Sequence, residues 1–332
     1  LLPQTTYYYR VTSVDDASNT AFFPAAPAEN SFTMPAGICA QDVTFADFSL
    51  GVPDANTQAV VEGDGAVILK PGYVEDFSGP SLPSGWGSGS GSPWTGGSYT
   101  FTGGQIVVDG SHVYSSASYS PGSSLEFVAT FEAGAYQNIG FSADAAFASP
   151  WVVIGRGSLT DNNLYARSYI NGTATDIILG SNLLGSAHNY RIKWNTDNFE
   201  FYVDGSLITT INTPVSSNMV LQVSDINTGG AVLSLDWIRT TPYLLSGSFT
   251  SRVFDGGGQR IWGEANWNSD LPEGTSLSIF FRTGETAVPD GSWTPFVQIA
   301  SSGSVVGLTS RFIQYRADLS TTNTLFTPVL RD

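Results

Sequence analysis

Lysine is almost absent. Lys70 and Lys193 are the whole complement of a 332-residue chain, and Lys plus Arg number 13 against 29 Asp plus Glu. The net charge of −16 would repel a phosphate backbone, so nucleic acid is not expected as a partner. Anionic membrane surfaces are disfavoured for the same reason. Cysteine is represented by Cys39 alone, which excludes an intramolecular disulfide and leaves the compartment undecided. His112 and His188 are the only histidines. No stretch of about twenty apolar residues occurs, so no spanning helix and no membrane insertion are expected. No window of ten or more residues carries a helical apolar stripe, and helix is expected to be minor.

What remains is the composition of an all-β protein. Hydrophobic residues make up 41 %, with 36 Gly and 17 Pro, which is enough apolar material for packed cores rather than a disordered chain. The clearest patterning lies in Asn189–Thr240. Tyr190, Ile192 and Trp194 alternate with Asn189, Arg191 and Lys193. Phe199, Phe201 and Val203 then alternate with Glu200 and Tyr202 up to Asp204-Gly205. Period-two alternation ending on Asp-Gly is a hairpin signal. Further strands are predicted at Gln105–Val108, Leu125–Phe131, Asn138–Ser142, Val152–Ile154, Leu164–Ile170 and Asp176–Leu179. Strands at this spacing suit a two-sheet jelly roll, and the fold class is all-β, several β-sandwiches in one chain.

The hairpin, and the closing strand Leu235-Asp236-Trp237-Ile238-Arg239, resemble the concanavalin-like sandwiches shared by laminin-G-type lectins and laminarinase-type glycosidases. On that resemblance 73–243 forms one such sandwich. Residues 1–36, with Leu2, Tyr7 or Tyr8, Tyr9 and Val11, resemble the last two strands of a fibronectin type III domain. Residues 244–332 carry Ser251-Arg252-Val253-Phe254-Asp255, Arg282-Thr283-Gly284 and Phe312-Ile313-Gln314-Tyr315-Arg316-Ala317. They resemble a galactose-binding-like, discoidin-type sandwich. The orphan strands of 37–72, expected at Asp42–Phe48, Thr57–Val61 and Ala66–Leu69, resemble that sandwich's lead-in. The 73–243 unit is therefore expected as an insertion between 37–72 and 244–332, a tolerated event when the inserted chain ends lie close together. Both ends of the chain look cut from a longer parent.

Glycoside hydrolysis needs two carboxylates facing one sugar, about 5 Å apart for retention or about 6.5–9.5 Å for inversion. The laminarinase-type motif Glu-x-Asp-x-x-Glu is absent. Glu126 and Glu132 share a strand face, but six residues separate them by about 20 Å. No catalytic residue is assigned, no Gly-x-Ser-x-Gly elbow is present, and no zinc or P-loop spacing occurs. A glycan-binding face is assigned instead to Tyr136, Asn138, Trp151, Arg156, Tyr165, Arg167 and Tyr169. These aromatics offer stacking planes and the polar groups suit hydroxyls. Tyr165, Arg167 and Tyr169 alternate onto one face; packing of Trp151 and one tyrosine into the core is the competing reading. The concanavalin-like resemblance also implies a structural Ca²⁺ held by Asp236 and by Asp76 or Glu75; a plain pairing of Asp236 with Arg239 is the alternative.

The expected function is that of a non-catalytic, extracellular or surface-bound fragment of a bacterial protein, not itself an enzyme, that binds polysaccharide or glycan. Its other partners would be the upstream and downstream parts of the parent protein, with self-assembly in view. A structural building block of a surface layer or filament is one alternative. A diverged glycoside hydrolase, or the accessory region of one, is the other.

Overall fold

The computed structural model describes residues 6–9, 11–14, 20–23, 30–33, 40–158 and 161–332. Two β-sandwiches account for residues 40–332. The first is built from two antiparallel sheets. One has the strand order 173–180, 164–170, 151–155, 137–142, 219–225, 111–119, 86–89. The other runs 98–102, 105–109, 233–240, 124–130, 188–194, 199–203, 206–211, with 73–75 also paired to 233–240. This is a two-sheet antiparallel jelly roll. Alternation places Ile139, Phe141, Val152, Ile154, Leu221 and Val223 from one sheet against Phe127, Tyr190, Ile192, Trp194, Phe199 and Phe201 from the other, all fully buried. The hairpin turns at Asp204 and Gly205, whose φ values of 47° and 79° are what an Asp-Gly pair tolerates and most residues do not.

The second sandwich combines chain from both sides of the first. Strand 66–69 lies between 57–60 and 329–330, and Val52–Pro53 pairs with Phe249–Thr250. The larger sheet runs 297–298, 275–284, 309–321, 246–250, 52–53, with 254–261 also on 309–321. Phe48, Val67, Leu69, Phe249, Ile279, Ala317 and Leu319 form its core.

The Asp42–Phe48 stretch, expected as a strand, instead holds one turn of helix, Phe45–Phe48. The Thr44 hydroxyl accepts from the Asp47 N–H at 3.1 Å, and Asp47 accepts in return from the Thr44 N–H at 3.2 Å. That reciprocal cap satisfies donors a strand would have paired elsewhere.

Where the sandwiches meet, Glu62 accepts from Arg239 and from Arg331, both at 2.7 Å. Burial alone would raise the Glu62 carboxyl, yet the two guanidiniums overcome it and hold the group below its ordinary value. Arg239 is therefore not the partner of Asp236. The backbone of Thr6–Tyr9 pairs with Asn30–Thr33, and that of Val11–Val14 with Thr20–Phe23. Of the side chains on which the fibronectin resemblance rests, Tyr8 is 68 % exposed; those of Leu2, Tyr7, Tyr9 and Val11, and Cys39, lie outside the described residues.

Candidate functional site

The outer face of the seven-stranded sheet is turned away from the core of the first sandwich. Because Ile139 and Phe141, Val152 and Ile154, and Leu164, Ala166 and Ile170 point inward, their alternates point out. Those are Asn138, Gly140 and Ser142; Trp151, Val153 and Gly155; and Tyr165, Arg167 and Tyr169. Register places Trp151 opposite Tyr169, Val153 opposite Arg167 and Gly155 opposite Tyr165.

The face is organised around Arg167. Its Nη1 donates to Asn138 Oδ1 at 3.2 Å and to the Arg156 carbonyl at 2.8 Å, while Nε meets Asp176 at 3.0 Å. Reaching Asn138 requires crossing the middle strand over Gly155, where a Cβ would stand 2.4 Å from Asn138 Oδ1. The guanidinium also lies 5.6 Å from the Trp151 ring centre. Trp151 stacks on Tyr169 at 6.1 Å and 27°. Tyr169 is 37 % exposed and Trp151 half-buried, so the pair forms an accessible aromatic ledge with a guanidinium beside it.

Not every expected residue joins this ledge. Arg156 is 2 % exposed and donates through Nη2 to the Asp161 carbonyl, so it ties a loop rather than facing a ligand. Asn138 is buried beneath Arg167. Tyr165 is also buried, its hydroxyl donating to Asp161. Tyr136 sits at the sheet end with φ 66°, its N–H bonded to the Gly157 carbonyl at 3.2 Å. Two carboxylates lie on this side of the sheet, Asp176 beside the ledge through Arg167 and Asp161 at the Tyr165 end. The Tyr165 hydroxyl and the Asn163 N–H hold Asp161 below its ordinary value. Asp176 is exposed and paired with Arg167. Tyr165 feels the charge of both.

The other half of the face is covered by the chain's own side chains. Trp94 stacks on His112 at 3.6 Å and 5°, and its indole N–H donates to Ser224 at 2.9 Å. His112 contacts Gln222 at 3.2 Å, and burial pushes its imidazole down. A tryptophan inside the Gly/Ser-rich 87–97 loop is the signal for this lid. Glu126 belongs to the opposite sheet's strand 124–130, and Glu132 lies two residues past its end, so the two do not share a strand face. Glu126 pairs with Arg191 at 3.2 Å and accepts from Tyr243 at 3.3 Å, so it serves the junction between sandwiches.

Asp236 is an extra residue in its strand, since Val128 faces Trp237 while Ala129 faces Leu235. The bulge frees its carboxyl, which burial pushes up and the Asp76 charge raises further against a bond with Gln105. Two carboxyls that repel each other are suited to a shared cation. Among the described residues no three His, Cys, Asp or Glu side chains cluster as metal ligands. Backbone carbonyls and water would therefore have to complete the shell.

Residues 154–232 match the family model described as "Glycosyl hydrolases family 16". No curated protein matches the chain. Among solved structures, the β-glucanase of Bacillus licheniformis is similar at TM-score 0.40 and 16 % identity, covering 51 % of this chain and 97 % of its own. A prokaryotic β-1,3-1,4-glucanase (lichenase) from a mouse hindgut metagenome gives 0.40 and 14 %, covering 51 % and 98 %. A glycosyl hydrolase family protein from Mycobacterium fortuitum gives 0.40 and 13 %, covering 52 % and 100 %. The family-16 match overturns the expectation of a non-catalytic glycan-binding fragment. It also points toward a glycoside hydrolase and against the expectation that the chain is no enzyme.

Proposed function

We propose that this chain is a diverged glycoside hydrolase unit that acts on extracellular polysaccharide. The observation that carries the reading is the family-16 match over residues 154–232. That stretch runs from the end of strand 151–155 through the strand bearing Tyr165, Arg167 and Tyr169 to 219–225. The sugar would stack on Trp151 and Tyr169, with Arg167 donating to its hydroxyls.

Cleavage of a glycosidic bond needs one carboxyl to protonate the leaving oxygen and a second as nucleophile or base. The pair proposed is Asp161 and Asp176. Asp161 is kept ionised by Tyr165 and Asn163, which suits the nucleophile or base. Asp176, paired with Arg167 at 3.0 Å, is left for the acid role. One observation favours the accessory region of a glycosidase as a second reading: neither Asn138, Gly140 and Ser142 nor Trp151, Val153 and Gly155 put a carboxylate on the outward face of the central strands 137–142 and 151–155. A structural Ca²⁺ between Asp76 and Asp236 is part of the proposal. So are the fibronectin-type and discoidin-type flanks, taken with the domain limits given above.

The test is release of new reducing ends from barley β-glucan, laminarin and agarose by the full chain. Release is expected from at least one. Asp161→Asn and Asp176→Asn should each slow it by about 10²-fold or more, the contribution typical of a positioned acid or base. No release from any β-linked polysaccharide would overturn the hydrolase reading.

A further inference from the structure

The second sandwich carries a feature independent of the sugar-facing sheet. Strands 275–284 and 309–321 turn Ile279, Ala317 and Leu319 into the core, so Phe280, Arg282, Gln314 and Arg316 project from the opposite side. Phe280 lies opposite Arg316, and Arg282 opposite Gln314. Rings and guanidiniums interleave there. Arg316 is 4.6 Å from the Phe280 ring centre and 5.0 Å from that of Phe296. Arg282 is 4.6 Å from Phe296 and 5.4 Å from Trp293.

The two guanidiniums differ in how they are neutralised. Arg316 is held by both oxygens of Asp318, at 2.8 and 2.9 Å. Arg282 has no carboxylate within ion-pair distance among the described residues, in a chain with 29 acidic side chains to 13 basic ones. Its partner is the neutral Gln314, whose Oε1 accepts from Nε at 2.9 Å and from Nη2 at 2.6 Å. Gln314 is locked in turn, its amide donating to the Ser251 carbonyl at 2.6 Å. With Nε and one Nη2 proton committed to Gln314 and two rings within 5.4 Å of the guanidinium, the Nη1–Nη2 edge is left unused in an orientation that Gln314 sets.

A planar guanidinium with a free, pre-set edge matches a carboxylate in two parallel hydrogen bonds. Farther along the same face stand Ser278 and Gln298, then Ser276 and Ser320, hydroxyl and amide groups that suit a hydroxylated polymer, with Asp318 among them committed to Arg316. We propose that Arg282 is the anchor of a second ligand site, which takes the carboxylate of a uronate unit in an acidic polysaccharide. The site stands apart from the hydrolase reading and does not depend on it.

Affinity electrophoresis of the full chain in EDTA tests this, with gels containing polygalacturonate, dextran sulfate, polyglutamate or neutral dextran. Polygalacturonate should retard the chain, dextran should not, and the other two polyanions should retard it less. Arg282→Gln should weaken retardation about tenfold or more, and Arg282→Lys, which keeps the charge and loses the fork, should weaken it by an intermediate factor. Arg316→Gln, in the same ladder with Asp318 as its own counter-ion, should leave it within about twofold; unchanged melting temperatures show that the variants fold. Three results would overturn the assignment. These are no retardation by polygalacturonate, equal or stronger retardation by dextran sulfate or polyglutamate, or an effect of Arg316→Gln as large as that of Arg282→Gln.

Discussion

Replacing Glu62 by Gln should be one of the most damaging single changes to this chain that touches no candidate site residue. Gln keeps the volume and one acceptor oxygen, so packing is preserved and only charge is removed. The group that suffers is Arg239. Its side chain is 3 % exposed and 2.7 Å from Glu62, and its guanidinium lies 4.0 Å from the Trp237 ring centre. At an effective dielectric of about 20, opposite charges about 4 Å apart attract by about 4 kcal/mol. Stranding one member of a buried pair typically costs about 3–5 kcal/mol. Arg331 should lose little, because Asp270 also holds it. Urea denaturation followed by tryptophan fluorescence should therefore show Glu62→Gln destabilised by about 3–5 kcal/mol and Arg331→Gln by about 1 kcal/mol or less. Because the Glu62 carboxyl is depressed in the folded state, its contribution is present above its unfolded value and lost as pH falls through the folded one. The penalty of Glu62→Gln should shrink accordingly in acid. A cost below about 1 kcal/mol at pH 7 would refute the view that Glu62 neutralises Arg239.

Asp225 offers the opposite sign. It is 1 % exposed, and burial raises its carboxyl to about 6, so it favours folding when protonated and loses that contribution as pH rises through about 6. The shift corresponds to about 3 kcal/mol. Asp225→Asn should flatten the fall in stability between pH 4 and 7, measured by thermal melts at fixed ionic strength; an unchanged profile would count against it. For calcium, millimolar Ca²⁺ should raise the melting temperature of the full chain, and Asp236→Asn should abolish the rise. A rise that survives Asp236→Asn would place the ion elsewhere.

Much of the first sandwich was legible because its signals are local. The Asp204-Gly205 turn declares itself in two residues, and strand 164–170 shows its outward set, Tyr165, Arg167 and Tyr169, by simple alternation. Features that depend on long-range contact were not readable. Arg156 looks like a surface cation until a folded loop presents the Asp161 carbonyl to it. Trp94 and His112 are 18 positions apart and meet because 86–89 pairs with 111–119. Asp236 reads as an ordinary strand residue until the register skip beside Ala129 shows it to be a bulge. The Thr44-x-x-Asp47 cap was local as well, yet the alternating apolar residues around it matched a strand equally well.

The most direct test of hydrolysis is incubation of the full chain with β-linked oligosaccharides in H₂¹⁸O, followed by mass spectrometry of the products. A glycoside hydrolase places one ¹⁸O at each new reducing end, and that label should appear with the native chain and vanish with Asp161→Asn. Intact oligosaccharides after prolonged incubation, or cleavage that persists unchanged in Asp161→Asn and Asp176→Asn, would contradict the proposed chemistry at this face.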